Sequence, residues 1–550
     1  MHSVPDKWDE TFDVLVAGTG AGGLAAALVA NGRGANVLIV EKAATTGGTT
    51  KKSAGFMWVP NNHFLRETGT VDSRDGALRY MARLSRPALY DPEHETLGLS
   101  KFEYEGLCAH YDNAAAAITE LVGLGAIDVS HAAEFPDFYS HLPEDETPVG
   151  RTLFPTRGGG GPTGGAVLIE DLRAAAERAG IEIRLETSLA DLVVDDSGAV
   201  VGAVLGGRHD GVTVRTRYGV IGATGSFAQN EELRRRYLNH SYVGTCTAPT
   251  NTGDFLGLTR EVGADIVNMN LAMQTPILVE RIEREGDDFR GSFILPGDGS
   301  IVVNRRGVRV CSETGSYHDI GKAFFQWDPR TASYPNTPLI VIWDQDVNDR
   351  YGVDALGNPV PAAGADPYWV ITADTLEELE TAVAARLAEL GSLVGRAELD
   401  ADFGTHLRET LARYARFAET GVDEDFGRGS TPAQLALGSF FAAGSGVNPT
   451  MRALSDSGPY YAAILGPGLF ETVGGAVTDK SARVVRRDGS TVRGLYGVGT
   501  SVAGPWAEAA WSGGVNVAYA LTSGYRAAVH AAGRKDDATT STSEPVASGI

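Results

Sequence analysis

The chain has 550 residues, 47 basic against 70 acidic side chains, a net charge of −23 and 43% apolar content. That length exceeds one small core and fits two domains, and the acidic balance argues against nucleic acid or an anionic membrane surface as a partner. The 69 glycines are clustered rather than periodic, which excludes a collagen-like chain, and Cys108, Cys246 and Cys311 show neither metal-ligand nor disulfide spacing.

The start, MHSVPDKWDETFD, is polar and does not read as a signal peptide. The next run, Val14 to Ala30, is broken by glycines and does not read as an integral membrane segment. With the cysteine pattern, these features make a reducing, cytoplasmic setting the expectation.

FDVLVAG (12–18) predicts a strand, the alanine- and leucine-rich stretch after it a helix, and ANVLIVEK (35–42) a second strand. Gly18, Gly20 and Gly23 then fall at a strand-to-helix turn, with Gly22 beside them. Gly18 permits the tight turn, Gly20 lets backbone approach a pyrophosphate, and Gly23 lets helix and strand pack closely. Glu41 ends the second strand, where an acid can hold ribose hydroxyls and disfavours a 2′-phosphate; Lys42 follows it. The implied ligand is FAD or NAD.

TTGGTTKKSAG (45–55) narrows the choice. A plain nicotinamide domain would continue with a helix. A loop holding Gly47, Gly48, Thr49, Thr50, Ser53, Ala54 and Gly55 suits a pyrophosphate and a flavin edge, through backbone N–H groups and hydroxyls. This order of strand, GxGxxG, strand, Glu and GGTTxxSAG resembles the fumarate reductase and 3-ketosteroid dehydrogenase flavoprotein superfamily. The resemblance implies a Rossmann-like α/β FAD domain, discontinuous in sequence, with an inserted catalytic or capping domain. No histidine lies between 42 and 62, which points to non-covalent FAD; Lys51 and Lys52 depart from the apolar residues the resemblance expects.

Downstream, helices are predicted at 103–125, after the glycine loop of 157–163, and at 375–390, and paired strands around a DDSG turn at 195–198. YGVIGATGSFAQN (218–230) ends a strand in Ala223, Thr224 and Gly225, which the resemblance returns to the pyrophosphate. NTGDFLGLTREVGAD (251–265) resembles a family helix segment, with Phe255 where glycine is usual. The expected division is FAD domain 1–270 and 455–535, capping domain 271–454, and a disordered tail 536–550. Near the end, GLYGVGT supplies Gly499 and Thr500. WSGGVNVAYALTSGYRAA supplies Gly513, Gly514 and Val515 at a helix start, whose N-terminus would face reduced flavin. No metal site is expected.

The chemistry turns on GPYYAAILGPGLFETVGG (458–475), read as paired tyrosines followed by a glycine-rich turn. In the fumarate-reducing branch a histidine precedes TxGG and an arginine precedes the late Gly-Gly. Here Glu471, Trp511 and Ser512 stand there, and a glutamate would repel a dicarboxylate. Three segments resemble the ketosteroid dehydrogenase branch instead. EFPDFYSHLPE (134–144) implies a role for Tyr139, NRRGVRVCSETGSYHDIG (304–321) a base at Tyr317, and the strand at 458 a carbonyl donor at Tyr461, assisted by the backbone N–H of Gly466. Tyr460 is an alternative to Tyr461, because only one of two neighbours on a strand faces a site. His318 reads as a surface histidine, and 413–429 matches the branch without an assigned role.

The implied reaction is FAD-dependent desaturation of a cyclic ketone, by enolisation and hydride transfer to flavin N5. Reoxidation falls to an external electron acceptor: oxygen, a quinone or a carrier protein. A monocyclic ketone such as 4-oxocyclohexanecarboxylate stays open as the substrate; Arg151, Arg157 and Lys322 are loose candidates for its carboxylate. An ene-reductase of the fumarate or urocanate type, or a flavin protein without turnover, are the competing readings.

Overall fold

The computed structural model describes residues 1–286, 291–365 and 368–533, so the tail expected at 536–550 lies outside the described residues. Strand Glu10–Ala17 buries five residues in succession, Asp13 to Ala17, as a strand covered on both faces does. It pairs in parallel with Val37–Val40 on one side and Thr213–Gly222 on the other. The sheet has eight strands; its main path runs Arg483–Val485, Thr491–Gly497, Thr213–Gly222, Glu10–Ala17, Val37–Val40, Glu182–Arg184. The hairpin Thr187–Val194 and Val200–Gly207 joins through Thr213–Gly222.

Side-chain alternation feeds two cores. Val14, Val16, Val37 and Ile39 pack under helices Ala21–Gly32, Gly164–Arg178 and Val515–Gly533. Leu15, Ala17, Leu38 and Val40 face the hairpin and helix Asp254–Glu261. Phe255 is fully buried there: a Cβ on Gly222 would lie 2.2 Å from its ring, and one on Gly497 2.9 Å, so the aromatic fills space that two glycines leave. Helix Lys101–Gly123 starts with a reciprocal Ser100–Glu103 capping box.

The second sheet has six strands built around Tyr460–Thr472. Ala272–Leu278, Leu339–Asp344 and Ile371–Ala373 pair antiparallel to it, and Gly244–Thr245 parallel. One face packs on helices Leu376–Leu390 and Phe403–Thr420. This sheet therefore starts before 271 and ends beyond 455, so the expected boundaries cut it at both edges. The glycine-rich turn expected after the tyrosines is absent. The chain stays extended through Thr472, because Gly466 and Gly468 make room for neighbours: a Cβ on either would sit 2.6 Å from Val243 or 2.2 Å from Ile277.

Candidate active site

A first cavity, about 100 Å³, lies at the carboxyl ends of the parallel strands. Gly18, Gly20, Gly22, Glu41, Lys42, Gly48, Thr49, Thr50, Ala223, Thr224, Gly225, Gly499 and Thr500 line it. Gly20 caps helix Ala21–Gly32, so the helix N-terminus opens on the cleft. Gly23 is not on the lining. A Cβ there would come within 2.0 Å of the Gly18 carbonyl oxygen, so it serves close packing. Gly47, with φ +118°, also lies off the lining; it shapes the loop, and its N–H donates to Thr19 Oγ1 at 3.0 Å. Thr19 was missed by motif reading: its N–H and hydroxyl donate to Glu41 Oε2 at 2.9 and 2.6 Å, fixing the acid at the cleft.

A second cavity, about 190 Å³, shares Thr49, Thr50, Thr500 and Ala520 with the first, so the two form one trough. Ser53, Ala54, Gly55, Gly513, Gly514 and Val515 line its near end. The far end is aromatic, with six phenylalanines at 56, 135, 138, 293, 440 and 470, joined by Tyr317, Glu471, Cys246 and Lys52.

Of the predicted catalytic residues, only Tyr317 lines this cavity. It starts the short helix Tyr317–Ala323, capped by Ser316, which accepts from the Asp319 N–H at 3.2 Å. Its ring lies 5.2 Å from Phe293, 5.5 Å from Phe470 and 6.1 Å from Phe138. Tyr139 sits behind it, its hydroxyl donating to Asp319 Oδ2 at 2.7 Å. Tyr461 is elsewhere: it stacks on Trp343, centroids 5.9 Å apart, and bonds Gln345. Phe470 is nine steps further along the strand, roughly 30 Å at the usual rise. Gly466 pairs with Ile277 mid-strand, also off the cavity. Tyr460 turns to the opposite core and donates to the Ser455 carbonyl. The carbonyl donor expected at Tyr461 and Gly466 is thus corrected: the unbroken strand carries both away from the flavin end.

What the strand does deliver is Glu471. Met273 pairs with Glu471 but Gln274 with Leu469, so Phe470 is the extra residue of a bulge. Neighbours on a regular strand point oppositely. Here Phe470 and Glu471 both reach the cavity, while Leu469 packs beside Phe227, and Thr472 Oγ1 accepts the Phe227 N–H at 3.2 Å. Glu471 is 5% exposed, and its Oε1 has no hydrogen-bond partner among the described residues.

Burial holds the Glu471 carboxyl well above the usual carboxylate range. Burial, then Glu471 and Cys246, raises the Tyr317 phenol. Burial pushes the Cys246 thiol up to about 11. His318, expected at the surface, is buried; its Nδ1 accepts the Gln274 N–H at 3.1 Å, its Nε2 meets the Glu508 carbonyl at 2.9 Å, and burial lowers it to about 4. It is a neutral strut behind Tyr317. The segment 413–429 also gains a role. Asp423 and Arg428 close a buried cluster with Arg309 and Glu313 just ahead of Tyr317, Arg428 Nη1 reaching Glu313 at 3.0 Å and Arg309 Nη2 reaching Asp423 at 3.0 Å.

The family model described as "FAD binding domain" matches residues 13–517. The chain belongs to this FAD-binding family. Within it, the chain is 31% identical to a 4-oxocyclohexanecarboxylate 2-dehydrogenase of Sinomonas cyclohexanicum, over 95% of this chain and 93% of that one. It is 30% identical to a 3-oxosteroid 1-dehydrogenase of Mycobacterium tuberculosis, over 95% and 98%. A solved 3-ketosteroid delta1-dehydrogenase from Sterolibacterium denitrificans shares the fold, with TM-score 0.79 at 24% identity, over 96% of this chain and all of that one.

The FAD-binding family supplies FAD-dependent oxidoreductases, and this chain's residues fit the cofactor. The trough is continuous from the Glu41 end to the aromatic end. Thr224 Oγ1 and Asn516 Oδ1 are buried on its lining without a partner among the described residues. Glu41 would hold the ribose, the turn at Gly18–Gly22 and Thr49–Thr50 the pyrophosphate, and Ser53–Gly55 with Gly513–Val517 the ring. Asn516 escaped motif reading because no spacing rule marks it. No helix among the described residues is long and apolar enough to cross a membrane.

Proposed function

We propose that this protein catalyses α,β-dehydrogenation of a cyclic ketone. The observation that carries the reading is the aromatic end of the FAD trough, where two ionisable side chains, Tyr317 and Glu471, share one apolar cavity. Enolisation requires a donor at the ketone oxygen and a proton acceptor at the α-carbon, and an apolar surround strengthens both. FAD, when bound, accepts the β-hydrogen as hydride. The names of two relatives, a cyclohexane-ring and a steroid-ring dehydrogenase, agree with this chemistry.

Fumarate reduction fits less well, because a dicarboxylate would meet six phenylalanines and a glutamate. Arg151 is fully buried against Asp72, Asp137 and Asp145, Arg157 is paired on the surface with Glu170 and Asp171, and neither lines the cavity; nor does Lys322. Lys52 does line it, its Nζ donating to the Thr247 carbonyl at 3.3 Å, which favours a ring carrying an anionic group.

The test is anaerobic bleaching of the bound flavin by 4-oxocyclohexanecarboxylate and, separately, by 4-androstene-3,17-dione. Bleaching by either supports desaturation and selects the ring. No bleaching by either, with fumarate reoxidising the reduced flavin, would overturn it.

A further inference from the structure

We propose that Glu471 takes the α-proton of the ketone and that the Tyr317 hydroxyl donates to its carbonyl oxygen. This rests on the desaturation reading above, and reverses the base role that family resemblance implies for Tyr317.

The geometry comes first. Tyr317 and Glu471 both line the cavity, and the bulge at Phe470 aims the carboxyl inward. A base needs an open lone pair, and Glu471 Oε1 has one, with no partner among the described residues. A tyrosine acting as base needs a group that removes its proton or a cation that holds the phenolate. Neither bonds the Tyr317 hydroxyl among the described residues; its ring neighbours are Phe138, Phe293 and Phe470. His318, next in sequence, is turned away and spends both ring nitrogens on backbone. The Tyr139 hydroxyl is engaged elsewhere, donating a hydrogen bond to Asp319.

The acidities agree. The titratable or charged groups facing Glu471 are Tyr317 from its helix, Cys246 from the edge of the second sheet and Lys52 from the FAD loop. Burial raises Tyr317 and Glu471 together. An ordinary carboxyl is a far stronger acid than an ordinary phenol, so of such a pair the carboxyl, once ionised, is the natural proton acceptor and the phenol the donor.

In the step, the α C–H bond breaks and its proton bonds to Glu471 Oε1. The electron pair forms the enol double bond, and the carbonyl π pair moves to the oxygen held by Tyr317. With FAD bound to accept the β-hydrogen as hydride, the enolate electrons would re-form C=O and complete Cα=Cβ. Glu471 then loses its proton to solvent.

The experiment compares wild type, Glu471→Gln, Glu471→Asp, Glu471→Leu and Tyr317→Phe, each with bound flavin confirmed by its absorbance. kcat/KM against pH and deuterium exchange at the α-carbon of 4-oxocyclohexanecarboxylate in D2O are the readouts. An amide cannot accept the proton, so Glu471→Gln should lose about 10³-fold in rate and in α-exchange, and Glu471→Asp should regain part of both. Wild-type kcat/KM should rise with pH through an ionisation above the usual carboxylate range, and the rise should vanish in Glu471→Gln. Tyr317→Phe should lose about 10²-fold while keeping the rise. If Glu471→Gln and Glu471→Leu keep the wild-type rate and pH profile while Tyr317→Phe abolishes the rise, the assignment is overturned. If neither ketone bleaches wild type, the reaction itself falls and this role with it; bleaching with normal Glu471→Gln removes the role alone.

Discussion

Glu471→Leu should make the protein more stable while disabling it. The native fold buries a carboxyl to 5% exposure among Phe470, Tyr317 and Met273, with one oxygen unpartnered. An unsatisfied buried polar group costs about 1–3 kcal/mol, and leucine removes it at similar volume. A second contribution depends on pH. The folded carboxyl is raised above its ordinary value of 4.5, so between that value and the folded one the native state binds more protons than the unfolded chain. Stability is then full below 4.5 and drains as pH rises, at roughly 1.4 kcal/mol per pH unit, until the folded value is passed. Leucine has nothing to titrate. The gap in thermal midpoint between variant and wild type should therefore open above pH 4.5, on the order of 1–3 °C per unit for a chain of this size. Calorimetry of both flavin-loaded proteins at pH 5, 6 and 7 measures it. A gap that stays flat with pH, or a variant that melts earlier at all three, would refute the burial reasoning.

Three further outcomes are expected. Tyr461→Phe should leave flavin bleaching within about twofold of wild type, since its hydroxyl reaches Gln345 and not the cavity, whereas Tyr317→Phe slows it about 10²-fold; stopped-flow absorbance separates them. Arg428→Met takes one of two arginines from the buried Glu313 and a donor from the Ser300 and Gly297 carbonyls, and should cost roughly 3–5 kcal/mol, read as an earlier thermal unfolding, with Arg309→Met similar. His318 is neutral in the fold, with its pKa lowered to about 4, so the unfolded chain takes up its proton first as pH falls below about 6.5. Its share of stability should be lost from there down to about pH 4, at roughly 1.4 kcal/mol per unit, and the acid limb of a melting profile should be shallower in His318→Gln.

The cofactor half of the molecule was legible because its signals are local. A glycine at a strand-to-helix turn, or a hydroxyl-rich loop after an acid, positions its own backbone whatever the rest of the chain does. Gly23 and Gly47 shape the cleft from just off its lining for the same reason. Of the residues expected at the aromatic end of the trough, the one that lines it is Tyr317, which sits on a helix start. Tyr461 misled because glycine and proline at 466–468 read as a turn, while in the sheet they accommodate Val243 and Ile277 from neighbouring segments far away in sequence. Glu471 was noticed for what its charge would repel. Its burial depends on a bulge opposite Met273 and Gln274, a pairing that no single stretch of sequence encodes.

That bulge has a consequence for how the cavity could change. Leu469, Glu471 and Thr472 already fit the in-and-out alternation of an ordinary ladder, and Phe470 is the supernumerary member. One member of the aromatic wall is therefore a residue the hydrogen-bond register does not need. Substituting or even losing it would reshape the space offered to a ring while the carboxyl beside it kept its aim. Adjacent positions in the chain thus separate what the protein accepts from what it does, and ring size can drift without disturbing proton transfer.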